Sequence, residues 1–310
     1  MNVVSYFKAV PKNNTKSEKT DMLLNFIQGV NAVGDNGRVY YGSEIIDNDV
    51  AIIQGWQHEF GKSSEHLLLR KAIIDSQLKN NKYVITADSN LFLYASPKNT
   101  PHHYLRYSIN GVFPDTGNYC DTEVDTSRWQ QISKDLNIKL GATNYTGKNI
   151  VLCLQRNGGW SMGKYDVQDW IINTVTKIRK HSDRPIIIRA HPGDKNALQY
   201  LNEKNNRISH LRNLYISPFG RALNEDLMDA WAVVNHNSSS IVGPLIQGYH
   251  GFVTEPLKSQ CSEVTHTNFC DIETPKEFDR QSWLERISMF HWNFKELENG
   301  DCWKHMRKYI

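Results

Sequence analysis

Residues 231–256 read WAVVNHNSSSIVGPLIQGYHGFVTEP. Trp231–Val234 is an apolar run short enough for a buried strand, and Gly251–Thr254 is a second. Between them lie a polar turn with Ser238, Ser239 and Ser240 and a short helical stretch, about Ser240–Gln247. Pro244 falls in the first turn of that helix, where a missing N–H costs no hydrogen bond. Strand, small-residue turn, helix, strand is half of a dinucleotide-type α/β unit, whose turn offers free N–H groups and hydroxyls to a phosphate. The plainer alternative is that Asn237 or Ser238 simply caps the helix.

Working outward, apolar runs alternate with helices in both directions. Upstream, Asn149 opens a series in which Ile150–Leu154 and Pro185–Arg189 read as buried strands. A helix over Asp166–Lys180 separates them, and a short strand at Leu214–Ile216 and a helix over Asn224–Ala230 follow. Nearer the start, Val3–Phe7, Asp49–Gln54 and Lys82–Ala87 are strands, with helices over Glu18–Val33 and Glu65–Leu78. Residues 95–146 are less regular and carry one helix, Thr126–Leu136. This alternation implies βαβ units and parallel sheets. The expected fold class is therefore α/β, with two Rossmann-like domains facing across a cleft. The first covers 1–146 and the second 147–280. The remaining 281–310, rich in tryptophan, is expected to be one aromatic helix packing back across the domains.

Composition narrows the class. The chain has 310 residues, 39% hydrophobic and 22% charged, which suits a soluble globular enzyme. No run approaches the ~18 apolar residues of a membrane span. MNVVSYFKAVPKNN lacks the apolar core of a signal peptide. Five scattered cysteines, none in CxxC spacing, argue against a disulfide framework or structural zinc and point to a reducing cytoplasm. A net charge of +3 permits a polyanionic partner without requiring one.

Ligands of such folds bind outside the carboxyl ends of the strands. In the second half the loops there are Gln155–Gly163, Ala190–Lys195 and Asn235–Ser240. They offer Arg156, His191 and the serines: a forked guanidinium, an imidazole and hydroxyls for a phosphate ester. Proline after His191 stiffens the turn that carries the ring. In the first half Asp88, after Lys82–Ala87, is the candidate general base, with His58 and Glu59 in reserve. Asp88-Ser89-Asn90 is equally good Asx-turn chemistry. Glu255 is a candidate for ribose hydroxyls, although a surface acid is the simpler assignment. Asp121, Glu123 and Asp125 precede a helix and suit its dipole better than a metal. Asp47-Asn48-Asp49 precedes a strand, the wrong end for a site. No metal or cofactor is required.

His191-Pro192, followed about 45 residues later by Ser238-Ser239-Ser240, resembles the HP … SS pair of GT-B-fold transferases that use nucleotide-activated donors. That group includes bacterial sialyltransferases, capsule-polysaccharide transferases and glycerophosphotransferases of teichoic acid synthesis. The resemblance implies that His191 and Ser238–Ser240 contact the donor's phosphate and nucleotide, with a UDP-sugar as the expected donor. The stretches DVAIIQGWQHE, ADSNLFLYA, LQRNGGWSMG, RAHPGDK and FHWNFKELENGDCW further resemble phage-encoded proteins that glycosylate hydroxymethylated pyrimidines in DNA. This resemblance implies an inverting glycosyltransferase with double-stranded DNA as partner, acting in a host cytoplasm. A base in duplex DNA would have to be flipped out to react. Lys8, Lys12, Lys16 and Lys19 would then meet DNA phosphates, unless they are ordinary solvated charges. Two alternatives remain open: a transferase building a polysaccharide or polyol-phosphate polymer, and a non-catalytic nucleotide or nucleic-acid binding module.

Overall fold

The computed structural model describes residues 1–10, 18–57, 64–92, 95, 102–201 and 207–310. In chain order the elements are β1 (Asn2–Tyr6), α1 (Glu18–Ala32), β2 (Asn36–Tyr40), β3 (Val50–Gln54), α2 (Glu65–Lys79), β4 (Tyr83–Ser89), β5 (Tyr104–Ile109) and α3 (Thr126–Asp135). Then follow β6 (Asn149–Cys153), α4 (Val167–Ile178), β7 (Ile186–Arg189), α5 (Ala197–Leu201), β8 (Leu214–Ile216), α6 (Leu223–Leu227), β9 (Ala230–Asn235), α7 (Val242–Gln247) and β10 (His250–Val253). The chain closes with α8 (Arg280–Ser288), β11 (His291–Asn293), α9 (Phe294–Glu298) and α10 (Asp301–Met306). It divides into two compact units: Met1–Ile138 with Leu284–Ile310, and Lys139–Trp283.

The sheet of unit 1 has the order β11-β5-β4-β3-β1-β2. Its strands β2, β1, β3 and β4 are parallel, whereas β5 runs antiparallel to both β4 and β11. Side chains alternate between two packed faces, as the pleat demands. Val3, Val50 and Ile52 join Met22, Phe26 and Val30 of α1 on one face. Val4, Ala51 and Ile53 join Ile73 and Ile74 of α2 on the other. A strand covered on both faces has no polar side, which is why β3 reads as continuous apolar sequence. The order reverses direction between β1 and β3, so their carboxyl ends flank the switch point of this sheet.

Unit 2 is the more regular half. Its five strands are all parallel, in the order β10-β9-β6-β7-β8. Every residue of β9 is buried, and Trp231 Nε1 donates to Ile272 O at 2.6 Å. The chain leaves β6 outward to β7 and β8, then returns to lay β9 on the other side of β6. The switch point therefore lies between β6 and β9.

The tail corrects one expectation. Instead of a single helix over 281–310, α8, β11, α9 and α10 follow one another and a 3-10 turn, Arg307–Tyr309, closes the stretch. Phe290–Asn293 is read at strand period, because β11 pairs with β5. Asn293 then starts α9 with a capping box closed by Glu296, and Gly300, at φ 86°, separates α9 from α10. Within unit 1, Leu297, Cys302, Trp303 and Met306 pack into the α1 face of the sheet. Trp303 Nε1 donates to Asp35 Oδ2 at 2.8 Å. Gly29 allows α9 to approach α1, since a Cβ there would lie 1.9 Å from Leu297 O. A second difference is β5, in the stretch expected to be irregular; Arg106 interrupts its otherwise buried run.

Candidate functional site

In unit 2 the loops after β6, β7 and β9 are tied to one another by side chains. Gln155, directly after the β6–Leu154 run, donates from Nε2 to Asn237 Oδ1 at 2.8 Å and to Ser161 Oγ at 2.6 Å. Asn237 returns a bond from Nδ2 to Ser161 O at 3.2 Å. The loops after β6 and β9 are thus stitched together at the switch point. Asp194, 3% exposed, joins the loop after β7 to the same group. Its Oδ2 accepts from Asn157 N at 2.9 Å and Tyr200 Oη at 2.8 Å, and its Oδ1 accepts from Asn196 N at 3.0 Å. Each donor is a neutral group, and the carboxylate they share raises the Tyr200 phenol's proton affinity after burial has done so first. The three loops singled out by topology are therefore one hydrogen-bonded body.

His191 sits in that body, half-buried. Gly193 N donates to its Nδ1 at 3.0 Å, so in the neutral ring the proton resides on Nε2. A Cβ at residue 193 would lie 3.2 Å from the ring's Cε1, so glycine lets the turn close this tightly. Burial, then the charge of Arg156, hold the ring below its ordinary pKa, with Asp194 opposing them. His191 is thereby a neutral Nε2–H donor near pH 7 rather than a cation. Arg156 is exposed on the adjoining loop.

The serine turn is built differently from the expected helix start. Ser239–Ile241 forms a 3-10 turn, and α7 begins only at Val242 and has six residues. Ser238 caps that turn, its Oγ accepting from Ser240 N at 3.2 Å. So short a helix offers little dipole, and any anion affinity here has to come from hydroxyls and N–H groups. The Ser240 hydroxyl is buried beside the Cys153 thiol.

A second histidine was overlooked in the sequence although it stands inside the quoted stretch. His236 follows the last residue of β9 and is 5% exposed. Its Nδ1 lies 2.8 Å from Thr254 Oγ1, just beyond β10, and Trp170 Nε1 donates to the same hydroxyl at 2.8 Å. Tyr165 and Trp170 flank the ring at 6.0 and 6.1 Å. Burial, and secondarily Lys258, push its pKa down to about 4. Glu255 is half-buried beside it, its N donating to His236 O at 3.0 Å.

In unit 1, Asp88 lies at the carboxyl end of β4. Its Oδ2 meets Arg106 Nη2 at 2.5 Å and its Oδ1 accepts from the adjacent Ser89 N at 2.8 Å; both residues belong to β4, so the Asx turn expected as the alternative is not formed here. Lys8 Nζ is 3.4 Å from Ser43 Oγ, and Lys19 lies in α1. His58, Glu59, Lys12 and Lys16 fall outside the described residues. Asp125 caps α3 by accepting from Ser127 N at 2.9 Å, and Asp121 pairs with Arg286. Among the described residues no group of three or more His, Cys, Asp or Glu is arranged to hold a metal.

Two solved structures resemble the whole chain. One is Thermosulfurimonas dismutans KpsC, β-Kdo 2,7 transferase, at a TM-score of 0.51 and 11% identity, covering 97% of this chain and 99% of that one. The other is the β-Kdo 2,4 transferase of the same organism's KpsC, at 0.51 and 10%, covering 94% and 92%. The fold is GT-B-like. Identity this low speaks for the fold alone. No family model matches the chain, and no curated protein matches its sequence. The GT-B-like frame nevertheless gives the stitched loops of unit 2 a definite place: the switch point of a five-stranded parallel sheet. No helix among the described residues is long and apolar enough to cross a membrane.

Proposed function

We propose that the chain is a glycosyltransferase that moves a sugar from a nucleotide-sugar, a UDP-sugar in our reading, to an acceptor hydroxyl. The observation that carries this is the body of three loops at the β6/β9 switch point, in which His191 offers a neutral Nε2–H beside Arg156. The donor's diphosphate docks there against Arg156, His191 and Ser238–Ser240, and Glu255 takes the ribose hydroxyls. The acceptor oxygen attacks the anomeric carbon, the bond from that carbon to the phosphate oxygen breaks, and the acceptor proton passes to Asp88. Two hydrogen bonds leave the Asp88 carboxylate with further acceptor capacity. Negative charge grows on the departing phosphate, so donors already fixed in place stabilise the transition state more than the ground state. Direct attack inverts the anomeric centre.

The acceptor we propose is a 5-hydroxymethylpyrimidine of DNA, on the resemblance of the quoted stretches. A second reading, transfer to a glycan, draws support from fold neighbours named as Kdo transferases. Radiolabelled UDP-sugars offered with hydroxymethylcytosine DNA or with glycan acceptors separate the two. Label in DNA is expected; label in glycan alone selects the second reading. Absence of both transfer and donor hydrolysis with every donor contradicts an enzyme and leaves a binding module.

A further inference from the structure

Arg70 of α2 is 6% exposed and has no carboxylate within ion-pair distance among the described residues. Its Nη2 donates to Ala9 O at 2.8 Å, just past β1, and its Nη1 to Trp56 O at 3.1 Å, just past β3. The guanidinium therefore lies across the β1/β3 switch point of unit 1. Its Nε–H is buried with no acceptor. One residue beyond Trp56, the Gln57 Oε1 is also buried with no donor. The backbone makes room for the charge: Gly55 adopts φ +75°, and a Cβ there would lie 2.9 Å from Nη1. Arg70 and Lys19 both bear on His66 nearby, whose pKa is lowered first by burial and then by these two charges.

A plain clasp between two loops does not account for this arrangement. Holding two carbonyls uses two of five guanidinium donors, and a neutral amide would hold them without burying a charge. Among the described residues Arg70 has no ion-pair partner, a buried cation without one costs several kcal/mol, and Asp88, a carboxylate whose charge reaches it, is already engaged by Arg106. The missing partner is an oxyanion, whose geometry a guanidinium fork matches.

We propose that the carboxyl ends of β1 and β3 form an oxyanion-binding site in unit 1, with Arg70 as its charged ligand, that takes a phosphate or carboxylate carried by the acceptor. That the anion belongs to an acceptor rests on the transferase reading; the anion site itself is independent of it. The test is the arginine Nε–H NMR spectrum of the full chain without nucleotide. The Arg70 signal is the one missing from Arg70→Lys. A saturable shift of that signal on adding inorganic phosphate, acetate or both is expected, and which anion moves it names the source. A signal unmoved by either overturns the proposal and leaves Arg70 as a clasp. Should Arg70→Lys not fold, wild-type crystals soaked in selenate decide: an anomalous peak within hydrogen-bond reach of Arg70 supports the site, and none contradicts it. Arg156→Ala, expected to lose donor binding, should keep the Arg70 shift, so failure of the donor site and failure of this one are distinct results.

Discussion

The carboxyl ends of the two sheets each hold an arginine–aspartate pair, Arg189 with Asp226 in unit 2 and Arg106 with Asp88 in unit 1, but their loops are tied together differently. In unit 2, neutral amides, a hydroxyl and backbone N–H groups converge on Gln155, Asn237 and Asp194, and both histidines there are held neutral. In unit 1, guanidinium groups are central: Arg106 on Asp88, and Arg70 under two loops. The donor site proposed for unit 2 would benefit from fixed donors that need no reorganisation. A surface built on cations is suited to hold a carboxylate base in one orientation and to attract anions.

That contrast can be broken at named positions. Asp88→Asn removes the proposed base while leaving an acceptor for Ser89 N; kcat should fall by about 10²–10⁴ with donor affinity unchanged, in steady-state assays. A fully active variant would move the base elsewhere. A pH dependence of stability comes next. His236, ordinarily near 6.5, has a folded pKa of about 4, so its neutral form contributes fully above the unfolded value. Stability should decline as pH falls from 6.5 toward 4, by about 3 kcal/mol at most. Denaturant titrations at several pH values measure this, and His236→Gln should flatten the curve. His291 of unit 1, depressed by burial to about 3, should add to the same decline from pH 6.5, and its share should continue to grow below pH 4.

Asp194→Asn leaves one acceptor oxygen where two now serve three donors, so either Asn157 N or Asn196 N must face an N–H. A loss of about 1–3 kcal/mol in stability is expected, with a raised donor KM, readable by thermal melts and kinetics. His191→Ala should lower turnover at least about tenfold, or ~1.4 kcal/mol of transition-state stabilisation. Unchanged kinetics would take His191 out of the donor site.

Much of this architecture was legible in the chain. The apolar runs at Val50–Ile53, Ile150–Cys153 and Ala230–Val234 carry both-face burial in their composition, and strand ends followed from them. His191 was legible because proline and glycine mark its turn. The knot of Gln155 with Asn237 was not, since 82 residues separate them and amides look alike in any loop. Arg70 stands in EHLLLRKAIIDSQLK, where a cation every few residues suggests a solvated face; only packing against Ala9 and Trp56 buries it. His236 was hidden by the three serines beside it. The tail misled because aromatic residues suit helix and strand alike, and β11 is decided by its partner β5.

The central claim is that a nucleotide diphosphate docks on the stitched loops of unit 2. Hydrogen–deuterium exchange of the wild-type chain with and without a UDP-sugar tests it most directly. Protection concentrated in residues 155–163, 190–196 and 235–240 is the predicted result; binding that leaves all three exchanging as before would contradict it.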